Sequence, residues 1–433
     1  MSSQHFGYLI IGNSAGGIAA AEAIREVDRD GSLAIVSDEP HPSYSRPLIS
    51  EYLAGQRSVR SMLLRPPAFY RRNGIDAILG VRAQRIDFEE KSVELADGRV
   101  IGWEKLLLAT GGSPIVPVMA GGEKEGVFTF TTLQDAERLR RVAAYATRAV
   151  VIGGGFIGLS AAQALAHRRL AVTIVELKET ILSTMLDVRA ARLVEKTIRR
   201  QGVTVITGQS VREVLGRPED EGRVGGVVLS NGTQVLCDLV VVTIGVAPRT
   251  ELVAGSPVKV GRGIVVDRRM ATGVPGVYAC GDVAEAYDFL HGENRVTPIW
   301  PNAVLGGRAA GHNMAAWPDT YAGGTAANSL NYFGLAITAA GVVAPADGSC
   351  EVLSASGPGE GCYRKVVLRD GRIVGLLFMG EIERSGVVYG LMRDGADVGA
   401  FKESLLSRGF GLASLPEELR RQKLGLPVGA RRE

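Results

Sequence analysis

The sequence predicts an α/β chain: two parallel-sheet halves followed by a smaller α+β domain. Three observations carry this expectation. A buried strand, a glycine turn and a helix follow one another near the N-terminus; the same order returns in mid-chain; and from about residue 320 the composition shifts to strand-like runs around an Asp-Gly turn. At 433 residues, and roughly 150 residues per domain, the length suits about three such bodies.

The first unit begins with Tyr8-Leu9-Ile10-Ile11, an apolar run short enough for a buried strand. Gly12-Asn13-Ser14-Ala15-Gly16-Gly17 then turns the chain, and Ile18 to Ile24 continues as helix. A glycine turn opening a helix lets main-chain amides approach a pyrophosphate, because unpaired N–H groups and the helix dipole both favour negative charge there. Ser14 stands where the fingerprint prefers glycine, so close approach relies on a small side chain. A second strand, Ser32 to Val36, ends at Asp38 and Glu39, either of which is placed to receive ribose hydroxyls. An irregular loop follows, with Arg46 and Pro47 among small residues, and a fixed guanidinium there suits a pyrophosphate.

The second unit is a full GxGxxG. Ala149 to Ile152 reads as strand, Gly153-Gly154-Gly155-Phe156-Ile157-Gly158 as the turn into a helix, and Val172 to Val175 as the next strand, ending at Glu176. A carboxylate at that point accepts from a 2′-hydroxyl and repels a 2′-phosphate, which favours NAD over NADP. Arg168, Arg169 and Lys178 lie close in sequence and temper that preference. Each unit has a downstream mate, Ala109-Thr110-Gly111 for the first and Thr243-Ile244-Gly245 for the second, so the halves look duplicated. Two dinucleotide sites in one chain predict two cofactors that meet. Gly276 to Cys280 reads as a strand that breaks at Gly281-Asp282, before an Ala-rich stretch that reads as helix, with Asp282 placed to bind polyhydroxyl groups.

Composition narrows the classes. Lys and Arg number 49 against 46 Asp and Glu, with no long block of one sign, which disfavours nucleic acid as a partner. Four cysteines (Cys237, Cys280, Cys350, Cys362) have neither CxxC spacing nor the density of a disulfide scaffold, and five histidines without HxxxH spacing give no metal site. No apolar run approaches the ~18 residues of a membrane helix, and the N-terminus carries no signal pattern, so the expectation is a cytoplasmic protein without membrane contact.

Taken together, the GxSxxG turn, the Ala109-Thr110-Gly111 and Thr243-Ile244-Gly245 turns, GGGFIG and Cys280-Gly281-Asp282 resemble the FAD- and NAD-dependent pyridine nucleotide oxidoreductases over about residues 6 to 315. Tyr44-Ser45-Arg46-Pro47-Leu48 looks most like the branch containing NADH:rubredoxin reductases, ferredoxin reductases of oxygenase systems and nitrite reductase large subunits. The resemblance implies two Rossmann-like domains. Residues 1–115 and 246–320 would bind FAD, 116–245 would form the inserted NAD domain, and 321–433 a C-terminal α+β interface domain. It implies FAD on Gly12, Ser14, Ala15, Gly16 and Gly17, supported by Arg46 and Pro47, with Val81 by the adenine. Ala109, Thr110 and Gly111 would line the same site, Gly281 and Asp282 would meet the ribityl chain, and Trp300 and Ala303 the ring. It implies NAD on Gly153, Gly155, Phe156, Ile157, Gly158 and Glu176, with Gly245 near the nicotinamide.

The chain departs from the family's patterns in ways that bear on chemistry. No cysteine lies in the Tyr44 to Ser50 region, so a dithiol relay is not expected, and Cys280 reads as a small buried residue. Many ferredoxin-reductase relatives place a Lys after the loop serine and a Glu two residues past the last glycine of the NAD motif. Those positions are Glu51 and Ser160 here. The expectation is a carboxylate nearing the flavin from the FAD side, with a lower flavin potential once a cation is lost. Near the C-terminus, Ser329 to Ile337 reads as one strand, Asp370-Gly371 as a hairpin turn, and Ser414 with Glu417 as a capping box over Pro416, ahead of a basic tail that ends in Arg431 and Arg432.

The function expected is an FAD oxidoreductase passing electrons between NAD(H) and an iron-sulfur protein, by hydride transfer between nicotinamide and flavin N5. The partner would be a rubredoxin, a ferredoxin or the iron-sulfur subunit of a larger redox complex such as an aldehyde oxidoreductase, and the chain an oligomer. The alternatives are an NADH oxidase using oxygen or a quinone, and an assembly or signalling flavoprotein like the apoptosis-inducing relatives.

Overall fold

The computed structural model describes residues 4–346, 348–357, 359 and 361–425. Contacts divide the chain into two compact units, one holding residues up to 177 with 202–326, the other 178–201 with 327 onward. Arg431 and Arg432 lie outside the described residues.

In the first unit, the N-terminal sheet runs Ile75–Leu79, Leu33–Ser37, Gln4–Ile11, Val100–Leu108, then Ser92–Leu95 and Ala83–Asp87. Its first four strands are parallel, and Val277–Ala279 returns from far along the chain to pair with Val100–Leu108. Parallel strands covered on both faces read as unbroken apolar runs, and Leu33 to Val36 are all buried. Helix α1 (Ala15–Val27) follows the first strand, and the short α2 (Ile49–Leu53), α3 (Val59–Met62) and α4 (Ala68–Arg72) follow the second.

A second parallel sheet runs Thr204–Ile206, Ala171–Val175, Arg148–Ile152, Leu239–Val242 and Val127–Thr129. It carries α5 (Leu133–Ala143) and α6 (Phe156–His167). The chain passes between the two sheets through a small antiparallel ribbon, Gly112–Pro114 against Val246–Pro248. Downstream of Gly281 the sequence reading is corrected: Gly281–Val283 is a single 3-10 turn and Ala284–Asp288 a strand, paired with Ile264–Val265 and Glu293–Arg295. The alanines there fill the core between strands, and the long helix starts later, at α8 (Trp300–Met314).

The second unit contains α7 (Val188–Arg200) and a five-stranded antiparallel sheet in the order Ala327–Tyr332, Leu335–Gly341, Arg372–Met379, Tyr363–Arg369, Glu351–Ser356. The expected strand from Ser329 to Ile337 is instead a hairpin, turned by Phe333 and Gly334 at φ of 50° and 87°. A bulky aromatic at positive φ hides this turn from composition. Asp370 and Gly371 adopt the same conformation, as the Asp-Gly signal required. Asp187 caps α7 by accepting from the Ala190 N–H at 2.9 Å, and it also receives Lys365 at 2.9 Å and the Tyr363 hydroxyl at 3.0 Å. Helices α9 (Ser385–Arg393) and α10 (Glu417–Lys423) complete the unit. Ser414 does not cap α10: extended Pro416 precedes the helix, and the Ser414 hydroxyl accepts from the Gly411 N–H instead. Among the described residues no helix is long and apolar enough to cross a membrane, and no group of three or more His, Cys, Asp or Glu could hold a metal ion.

Candidate functional site

The first glycine turn is shaped by contacts that exclude side chains. Gly12 has φ of +125°, and a Cβ there would sit 2.1 Å from the Ala109 carbonyl oxygen; one on Gly17 would sit 1.9 Å from that of Gly12. No side chain caps the start of α1, because Ser14, its N-cap, makes no capping hydrogen bond. The first amides of the helix are therefore left for an anion, beside the Ala15 and Gly16 backbone. Gly16 itself presses on Cys280, whose sulfur would lie 2.8 Å from an added Cβ, and on the Ala303 carbonyl. Cys280 is fully buried, and burial, with the Asp282 charge behind it, pushes its thiol up to about 12.

Gly281, at φ of +76°, places Asp282 next to this turn. The Asp282 carboxylate has no hydrogen-bond partner among the described residues. Burial raises its pKa above the ordinary aspartate value, while the Arg46 guanidinium pulls it back. A half-buried acceptor without a donor suits a polyhydroxyl chain. Ala303 is buried against the turn, and Trp300 stands half-buried at the start of α8.

Arg46 is engaged from two sides: it pairs with Glu39 and donates to the Thr131 carbonyl at 2.9 Å. Glu39 also accepts from the Tyr44 hydroxyl, whereas Asp38 pairs with Arg249 at 3.2 Å. Pro47 follows in a short 3-10 turn, and Val81 hydrogen-bonds the Ser37 carbonyl at 2.9 Å, beside the end of the second strand. Thr110 donates to the Arg249 carbonyl, and Gly111 at φ of +72° leads into the connecting ribbon.

The second turn repeats the design. Gly153 has φ of +106° and leaves 2.5 Å between an added Cβ and the Thr243 carbonyl; Gly158 leaves 1.9 Å to that of Gly153. Gly155 is the N-cap of α6 and offers no side chain to cap the helix start. Glu176 accepts from the Gly154 N–H at 2.6 Å, which aims its carboxylate across the turn. Gly245, at φ of +128°, accepts from Ile115 at 2.9 Å where the ribbon begins. Both cradles fit a dinucleotide: at Gly12, Gly17, Gly153 and Gly158 the nearest atom that a Cβ would strike is a main-chain oxygen that cannot swing aside.

Glu51 and Ser160 lie on helices that touch, since α2 packs against α5 and α6. The Glu51 carboxylate is paired with Arg57. Sequence reasoning passed over Tyr44, Asn13, Tyr70 and Arg249 as polar partners. The Tyr70 hydroxyl donates to Asn13 at 2.8 Å and accepts from the Ser43 N–H at 2.9 Å, holding the turn to the Arg46 loop.

Residues 6–307 match the family described as pyridine nucleotide-disulphide oxidoreductase, and residues 327–396 match the rubredoxin NAD+ reductase C-terminal domain. The chain is 29% identical over 391 residues to a nitrite reductase of Bacillus subtilis, covering 90% of this chain but 47% of that protein, so it spans about half of that relative's length. It is 34% identical over 393 residues to the NADH-dependent phenylglyoxylate dehydrogenase subunit epsilon of Aromatoleum evansii, covering 90% of this chain and 92% of that one. Among solved structures, a ferredoxin reductase from Rhodopseudomonas palustris superposes with a TM-score of 0.85 at 26% identity, over 94% of this chain and 99% of that one. The chain belongs to the pyridine nucleotide-disulphide oxidoreductase family and is an NAD(H)-dependent flavoprotein oxidoreductase with FAD as its second nucleotide.

Proposed function

We propose that this chain passes electrons between NAD(H) and an iron-sulfur protein, either a small carrier or a subunit of a larger redox complex. The observation that carries the reading is the pair of uncapped glycine cradles in one compact unit without a dithiol beside them. Cys237 and Cys280 are buried, and burial pushes each thiol up to about 12. A thiol held there is not a redox nucleophile at neutral pH. The match of residues 327–396 to a rubredoxin reductase domain, and the likeness to a subunit of a dehydrogenase, support an external acceptor.

In this reading the first cradle (Gly12 to Gly17, with Arg46 and Asp282) holds FAD, and the second (Gly153 to Gly158, with Glu176) holds NAD(H). FAD supplies the exchange between a two-electron donor and one-electron carriers. The rest is positioning by this chain. The amino ends of α1 and α6, which no side chain caps, face the pyrophosphates, Asp282 accepts from a hydroxyl, and Arg46 offsets the negative charge that Asp282 and a phosphate bring together. Glu176, fixed by the Gly154 N–H, accepts from a ribose hydroxyl and disfavours a phosphate there.

The test is anaerobic stopped-flow reduction of the purified flavoprotein by NADH and by NADPH, then mixing with rubredoxin, ferredoxin and air-saturated buffer in turn. Rapid bleaching by NADH, slow reaction with oxygen and rapid discharge to an iron-sulfur protein are expected. Rapid discharge to oxygen alone would replace this reading with an NADH oxidase.

A further inference from the structure

The segment from Glu39 to Leu53 touches both halves of the first unit. At its start, the Tyr44 ring is 5% exposed. Its hydroxyl donates to Glu39 and accepts the N–H of Leu133, the first residue of α5, at 2.8 Å. Arg46, paired with the same Glu39, reaches the Thr131 carbonyl just before that helix. Further along, Tyr52 lies under the Arg140 guanidinium, 4.8 Å from the ring centroid, two turns into α5. At the end of α2, the Leu53 carbonyl accepts from Arg168 at 3.3 Å, at the far end of the helix that opens with the second glycine turn. One stretch of chain thus grips α5 at two heights and α6 at its end, while its Arg46 senses Asp282 beside the first turn.

The covalent links between the two halves are slight by comparison. Strands of three residues each, Gly112–Pro114 and Val246–Pro248, form the ribbon through which the chain passes. A ribbon of that length resists stretching but bends and twists readily, so the angle between the halves needs bracing from elsewhere. The Tyr44 hydroxyl is suited to that task because both its donor and its acceptor capacity are taken up, by groups on opposite sides of the gap.

We propose that residues 39–53 are a strut that sets the placement of the two nucleotide cradles relative to each other, with Tyr44 as its positioning residue. This rests on the two-nucleotide reading above. Tyr44 takes no part in the transfer itself. Removing its oxygen leaves the ring in place but strips the Leu133 N–H and Glu39 of a partner, so α5 and the half that carries it gain freedom to shift. Transfer between bound nucleotides is steeply sensitive to such shifts, on the order of a hundredfold per ångström of misplacement, whereas Tyr44 touches neither glycine turn and Arg46 keeps its own pairing with Glu39.

The experiment compares the wild-type holoenzyme with Tyr44→Phe, and with Arg140→Gln as a second, independent loosening. Hydrogen exchange would be followed at the Leu133 amide and, as internal controls, at Ile10 and Val151 in the two sheets. Stopped-flow reduction would give the limiting rate and the half-saturating NADH concentration. In Tyr44→Phe the Leu133 amide should exchange about tenfold faster with the controls unchanged. The limiting rate should fall about tenfold, while the half-saturating NADH and the FAD content stay within about twofold. Arg140→Gln should move both readouts in the same direction by less, and Arg140→Lys should restore them. An unchanged Leu133 amide with an unchanged limiting rate would overturn the strut, as would a rate loss that tracks FAD loss. Failure of NADH to reduce the wild-type flavin would sink the two-nucleotide reading, and the exchange measurements would then decide the strut by themselves.

Discussion

Asp282 is an acid whose ionised form the fold disfavours, since burial raises its pKa and Arg46 only partly offsets the effect. Keeping it charged therefore costs stability at neutral pH, and the cost fades as pH falls through its folded pKa. Asp282→Asn in the flavin-free protein should unfold a few degrees higher at pH 7 to 8, with the gain shrinking toward the ordinary aspartate range near ~4, as thermal melts across pH would read. At the second cradle, Glu176→Ala should narrow the preference for NADH over NADPH about tenfold in kcat/KM; an unchanged ratio would remove Glu176 from that role. These residues were legible because a motif fixes their spacing from a glycine turn. Tyr44 and Arg249 were not, because their partners lie 89 and 211 residues away in sequence and no local pattern announces them.

The two turn-and-helix elements make separable predictions. An alanine at Gly17 or at Gly158 would set a Cβ 1.9 Å from a main-chain oxygen, so the turn must open. Such overpacking costs about 1–3 kcal/mol and displaces the amides that face the ligand. Gly17→Ala should purify with little FAD, whereas Gly158→Ala should keep its yellow colour and lose reduction by NADH. Equal FAD content in the two would contradict the assignment of the turns. In the other unit, burial alone would raise the Asp187 carboxyl, but the Ala190 N–H, Lys365 and Tyr363 outweigh it and hold it below the usual range. A depressed carboxyl stabilises above its unfolded pKa and loses that contribution as pH falls through the folded one. Asp187→Asn strands the Lys365 charge and should cost about 3 kcal/mol in denaturant unfolding at pH 7, and little at strongly acidic pH. Elements with one dominant signal were readable from sequence, including both glycine turns and the Asp370-Gly371 hairpin. Ala284–Asp288 was not, because an alanine-rich run suits a helix and a core strand equally, and pairing with distant strands decides between them.

Across the whole chain the cysteines are dispersed, two buried and two half-buried, and none is paired with another. Alkylating the accessible thiols should therefore leave most NADH-dependent electron transfer intact; loss in proportion to alkylation would point to a thiol on the route. The doubled architecture itself was visible in the repeated strand, turn and helix order, whereas the bracing between the halves was not, since it depends on where irregular loops come to rest. One further property follows from the way α1 meets α8. Cβ atoms added at Gly307 and Gly311 would fall 2.2 Å from the Gly16 carbonyl oxygen and 2.3 Å from that of Ala20, so the two helices touch along their main chains. At those two contacts there are no rotamers to freeze when a ligand arrives. A cofactor seated at the head of α1 meets a wall that is already ordered, and little conformational entropy is lost on that side when it binds.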